Sequence, residues 1–113
     1  MKKRARLTRQ SDFQRLLGRP KVFQGRALIA FGVPSDLGRL RVGVATSRHI
    51  KGAVNRNRAR RRLREAVRVG LLDAPGSASL DIVVIARPEM VKISLPLVTE
   101  EVQEAYQRLL RRA

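Results

Sequence analysis

Seven arginines fall between residues 56 and 68, and Glu65 is the only acid among them. No apolar core accepts that much charge, because a buried ion without a partner is costly. The segment can therefore pack only along the narrow seam its apolar residues make. At roughly 100° per residue, Ala59, Leu63, Ala66 and Val67 cluster on one side of a helix. The spacing predicts a helix from about Ala53 to Val69 that docks on a sheet by this seam. Asn57, Arg58, Arg60, Arg61, Arg62, Arg64 and Arg68 occupy the rest of its circumference. Arg56 lies in line with the seam, but near the end of the helix, where it can project past the packed region.

This arrangement is costly for an isolated protein. Arg56, Arg60, Arg64 and Arg68 repeat at i, i+4 spacing, and each like-charge step costs about 0.2–0.5 kcal/mol. Arginine in the first turn also opposes the helix dipole. Bound phosphates would reverse both penalties, and Gly52 lets a phosphate approach the free N–H groups. The competing reading is a solvated face of arginines laid along apolar surface. Seven arginines against one acid weigh against it. RNA and DNA both satisfy the argument. A membrane surface fits less well, because an interfacial helix needs bulky apolar residues opposite its charges.

The rest of the 113-residue chain reads as one domain, 1–113, with a basic tail at 1–7. The formal net charge is +16. It is unevenly spread: up to residue 72 there are 20 basic and 3 acidic side chains, and from Asp73 onward 5 basic and 6 acidic. The electrostatic partner is expected to meet the first two-thirds, leaving the remainder as scaffold. There is no cysteine, so disulfides and thiolate metal sites are excluded. No apolar stretch follows the basic start, which argues against a signal peptide. The apolar run Ile82 to Ala86 is too short to span a bilayer. A cytoplasmic protein with no membrane association is expected.

Thr8 or Ser11 is expected to cap a short helix with Phe13, Leu16 and Leu17 on one face, ended by Gly18 and Pro20. Residues 21–33 read as a strand with Ala27, Ile29, Phe31 and Val33 sharing a face. After a turn at Pro34–Gly38, residues 39–47 alternate: Leu40, Val42 and Val44 one way, Arg39, Arg41, Gly43 and Ala45 the other. These two strands are expected to form a hairpin. A loop at 73–79 precedes an almost wholly apolar strand at 80–87, which Pro88 ends. A last helix, starting near Leu97 or Thr99, buries Val98, Val102, Ala105, Tyr106 and Leu109. The sum is an α/β sandwich on a small mixed sheet, with the arginine helix crossing over between two strands.

No catalytic set of the protein's own is legible. His49, the one histidine, sits in a basic stretch and reads as a surface or phosphate-contacting residue. Asp12, Asp36, Glu65, Asp73, Asp81 and Glu89 show no close pairing of the kind a two-metal nuclease needs. Glu100, Glu101 and Glu104 favour the dipole of the last helix. No metal site on the protein is expected.

Residues 53–66, AVNRNRARRRLREA, resemble the RNR signature of the bacterial ribonuclease P protein family, approximately AVxRNRxKRxxREA. Arg6-Leu7-Thr8 with Asp12-Phe13 is similar to that family's opening. Leu40-Arg41-Val42-Gly43-Val44, with the basic Arg48-His49 after it, is similar to its second strand. Asp81 to Arg87 is similar to the strand after the signature helix. The likeness runs from about residue 6 to 112. It implies an α+β sandwich: a four-stranded mixed sheet with three helices and a left-handed βαβ crossover. General rules favour the right-handed form, so the hand comes from the resemblance alone.

The resemblance also implies a role. The family member is the small subunit of a ribonucleoprotein endonuclease that removes the 5′ leader from precursor transfer RNA. The RNA subunit holds the catalytic centre and its Mg2+. Carried over by position, Arg56, Asn57, Arg58, Arg60, Arg61, Arg64 and Arg68 contact the catalytic RNA. Phe13, Leu17, Arg41, Arg48 and His49 belong to a cleft for the leader, between the first helix and the sheet. Phe13 reads equally as a core residue packing its helix. No obligate protein partner is implied. Arg60 replaces a common lysine, Leu17 and Ala30 stand where some relatives carry aromatics, and Lys51-Gly52 departs from the usual order. Stacking in the cleft is therefore expected to be weaker here. A structural RNA-binding protein of ribosomal type and a nonspecific DNA-binding protein are the competing functions.

Overall fold

The computed structural model describes residues 10–36, 38–72 and 79–112. In chain order these form helix α1 (Gln10–Leu17) and strands β1 (Phe23–Gln24), β2 (Leu28–Pro34) and β3 (Arg41–Thr46). Helix α2 (Ala53–Val67) runs on into a π-helical turn (Arg68–Leu72). Strand β4 (Leu80–Ala86), a 3-10 turn (Pro88–Lys92) and helix α3 (Leu95–Arg112) complete the fold. The basic tail at 1–7, Thr8 and most of the expected loop at 73–79 lie outside the described residues.

A strand as apolar as β4 needs cover on both faces and neighbours on both edges. It has them: the sheet order is β1-β2-β4-β3, with β4 antiparallel to β2 and parallel to β3. The expected hairpin between 21–33 and 39–47 is therefore wrong. Pairing β2 directly with β3 would leave one edge of the most apolar strand without a partner, so β4 inserts between them. The parallel β3–α2–β4 unit is the expected crossover, and the arginine helix is its connection.

The expected strand at 21–33 is also broken. β1 folds back on β2, pairing Phe23 with Ala30 and Gln24 with Ile29. The turn between them is held by Glu101 of α3, whose carboxylate accepts the backbone N–H groups of Arg26, Ala27 and Leu28 at 3.0, 3.0 and 3.3 Å. Glu101 was expected to serve its own helix dipole. It stitches the last helix to the first hairpin instead.

Helices cover both faces of the sheet. On one, α2 and α3 bury Ala59, Leu63, Ala66, Val67, Val98, Val102, Ala105 and Leu109 against Leu28, Ala30, Val42, Ile82 and Val84. Both expected helix seams are thus in place, with Tyr106 partly buried beside them. Each fully buried aliphatic side chain contributes about 1.5–3 kcal/mol. On the other face, α1 lays Leu16 and Phe13 on Val33, Val83, Phe31 and Ile85. α3 begins at Leu95, two to four residues earlier than expected, because Pro96 is tolerated where no intrahelical N–H donor is needed. Ser11 lies inside α1 and is not its cap.

Candidate nucleic-acid interface

The seven arginines of α2 and its continuation fall into distinct groups. Arg58, Arg61 and Arg64 are exposed, with no hydrogen-bond or ion-pair partner among the described residues. Arg60 stands next to them, its Nη1 donating to Asn57 Oδ1 at 3.1 Å. Arg68 pairs with Glu65 one turn before it. Arg56 donates to the carbonyl oxygen of Ile50 at 3.4 Å, which ties the helix start to the preceding turn. Arg62 turns inward and donates to the carbonyl oxygen of Ile93, while its buried Nε has no partner. Arg62 therefore joins α2 to the segment leading into α3. No count of charges along the helix could single it out.

The helix start is open to an anion. Gly52 precedes it at φ 87°, no side chain caps it, and its first turn holds no acid. A Cβ at Gly52 would meet nothing, but side chains rarely adopt that φ. The exposed Arg48 and His49 lie in the turn between β3 and α2.

On the opposite face of the sheet α1 meets the edge strand β3 where Phe13 reaches Gly43. The Phe13 ring rests on the backbone of Gly43, where any Cβ would lie 2.6 Å from Phe13 Cζ. Phe13 is thus a packing residue between α1 and β3. Leu17, one turn further along α1, is 43% exposed. Arg41, on the same side of β3 as Gly43, donates to Asp81 through Nε and Nη2 at 2.9 and 2.7 Å. Its charge is already paired. Arg15 of α1 donates to the same carboxylate at 3.0 Å. An open depression of about 570 Å³, lined by Arg15, Pro34, Ser35, Asp36, Arg41 and Asp81, continues from this cluster. Burial pushes the Asp81 carboxyl up, but hydrogen bonds from Arg41 and Arg15 outweigh it and hold the group below its ordinary value.

Two readings of the expected cleft need correction. Ala30 does not line it: it is fully buried and faces α2 and α3. Its neighbour Phe31 is the aromatic on the cleft side, packed with Phe13 and Ile85. Asp81 and Arg15, absent from the expected site, line the depression on this face. Period-2 alternation in β2 could have found Phe31. No local signal could pair Arg15 with an acid 66 residues away.

Among the described residues, no three His, Asp or Glu side chains converge where they could hold a metal ion. No helix among the described residues is long and apolar enough to cross a membrane.

These features define a small α+β domain with an arginine-covered crossover helix on one face of its sheet and, on the other, a short helix beside a depression lined by Arg15, Arg41 and Asp81. The family model for ribonuclease P matches residues 1–110, and the chain belongs to that family. A ribonuclease P protein component from Pelotomaculum thermopropionicum is 37% identical over 107 residues, spanning 95% of this chain and 90% of its own. One from Chloroflexus aurantiacus is 39% identical over 114 residues, spanning 100% and 80%. The fold matches the RNase P protein from Thermotoga maritima, with a TM-score of 0.74 at 24% identity over 91% of this chain and 96% of that one. It also matches the Staphylococcus aureus RNase P protein, with a TM-score of 0.71 at 21% identity over 91% and 93%.

Proposed function

We propose that this chain is the protein subunit of a ribonuclease P. In this reading it binds a catalytic RNA through α2 and the 5′ leader of precursor transfer RNA through the α1–β3 cleft. The observation that carries the reading is the set Arg58, Arg61 and Arg64. These exposed cations have no partner among the described residues and sit on a helix that pays for their repulsion. Phosphates of a folded RNA supply the missing anions, and Asn57, Arg60 and Arg68 extend the same surface. Arg56 contributes from the helix start, beside the open N–H groups.

The cleft lies on the other face, so one molecule can hold both RNAs at once. Phe13 and Phe31 offer apolar ring surface to leader bases, with Leu17 at the rim. Arg48 and His49 meet the backbone where the strand gives way to α2. Arg41 acts through Asp81 more than through a free charge. Cleavage chemistry and its Mg2+ belong to the RNA, and the protein contributes binding and orientation. The cytoplasm is the compartment where such an assembly would work.

Reconstitution with a ribonuclease P RNA tests this. The protein should lower the magnesium requirement for leader removal and strengthen binding of precursor over mature transfer RNA. No change in either quantity would sink the proposal. Tight RNA binding without those two effects would instead indicate a structural RNA-binding protein.

A further inference from the structure

Asp81 is the one buried charged residue among those described, at 1% exposure. It is the second residue of β4, with Val33 opposite on β2 and Arg41 opposite on β3. Its carboxylate takes two hydrogen bonds from Arg41 and one from Arg15, so a single side chain joins α1, β3 and β4. As a device for stability alone this is a poor choice. Apolar replacements of buried ion pairs are often neutral or better, and a half-exposed partner such as Arg15 adds little.

Position is what the cluster supplies. α1 has eight residues, and a helix that short does not hold its shape or place without tertiary contacts. Its apolar anchors, Phe13 and Leu16, resist separation from the sheet, but apolar burial is non-directional. The Arg15–Asp81 bond adds direction. Phe13, two residues before Arg15, needs that direction, because its ring has a seat only where Gly43 leaves the β3 backbone bare.

We propose that Asp81 is a positioning residue for leader recognition: through Arg15 and Arg41 it holds α1 where Phe13 stays seated on Gly43 and the cleft keeps its width. The inference rests on the leader-cleft reading above. It also explains why Arg41, on the cleft side of β3, has its charge committed inward.

The test uses the holoenzyme reconstituted with a ribonuclease P RNA. Affinity is measured for a precursor transfer RNA with a leader of several nucleotides and for the mature transfer RNA. Asp81→Asn should lower the precursor-to-mature affinity ratio roughly tenfold, the scale of a weakened base–aromatic stack. Arg15→Gln should lower it less, and Arg15→Lys should recover part of the loss. Electrostatics alone makes the opposite prediction, since Asp81→Asn removes a negative charge beside a polyanion and should tighten binding. The salt dependence of precursor binding should stay as in the wild type, because no phosphate contact is lost.

Wild-type protein with no preference for precursor would overturn the leader-cleft reading itself. A wild-type preference left intact by both Asp81→Asn and Arg15→Gln would overturn only the positioning role. Should Asp81→Asn fail to fold, Arg15→Gln decides alone. The Arg15 side chain is 46% exposed, so its loss leaves the core untouched.

Discussion

At the scale of single residues, Asp81 and Gly43 carry the sharpest expectations. Asp81→Asn keeps the shape but leaves Arg41 with a neutral acceptor, a loss of about 1–3 kcal/mol. The pH dependence has a definite sign. A carboxyl held below its ordinary value by folding adds stability that is complete above its unfolded pKa, about 3.9. That stability is lost as pH falls through the lower, folded value. Thermal melts of the wild type and Asp81→Asn should therefore differ most above pH ~4 and converge in stronger acid. A difference that grew on acidification would contradict the geometry. Gly43→Ala puts a methyl group where Phe13 Cζ lies 2.6 Å away. The ring must move, at a cost of about 1–3 kcal/mol for overpacking. Leader-dependent affinity should fall, with affinity for the RNA subunit kept.

At the scale of elements, α2 separates two kinds of arginine that sequence alone treats alike. Arg61→Ala with Arg64→Ala should weaken RNA-subunit binding and lower the slope of log affinity against log salt by about 0.7–0.9 per lost phosphate contact. Thermal stability should hold or rise slightly, because like-charge repulsion on the helix is relieved. Arg62→Ala should do the reverse. It deprives the Ile93 carbonyl of its donor and removes buried stem, so stability falls by about 1 kcal/mol with little change in salt slope. Melting curves and salt titrations on the same two variants check the contrast. Equal behaviour would mean that the inward and outward arginines are not distinct in solution. The expected hairpin failed at this scale for a clear reason. Alternation shows which way side chains point, but not which strand lies alongside.

At the scale of the whole molecule, a net charge of +16 on 113 residues makes stability depend on the ions around it. Raising sodium chloride from about 0.02 to 0.3 M shortens the screening length several-fold, which should raise the melting temperature by weakening self-repulsion. Bound RNA should raise it further by mass action. A melting temperature that fell with salt would mean that attractive pairs such as Asp81 with its arginines outweigh the repulsion. Much of the molecule was legible from its chain. The α2 seam of Ala59, Leu63, Ala66 and Val67, the α3 stripe and the buried β4 strand all follow from periodicity, because local geometry repeats every 3.6 or 2 residues. So did the arginine surface, because its charge excess is local. The neighbours of β4, the inward swing of Arg62 and the meeting of Arg15 and Arg41 on Asp81 did not. Each depends on segments distant in the chain, and only the packed sheet, with one helix on one face and two on the other, brings them together.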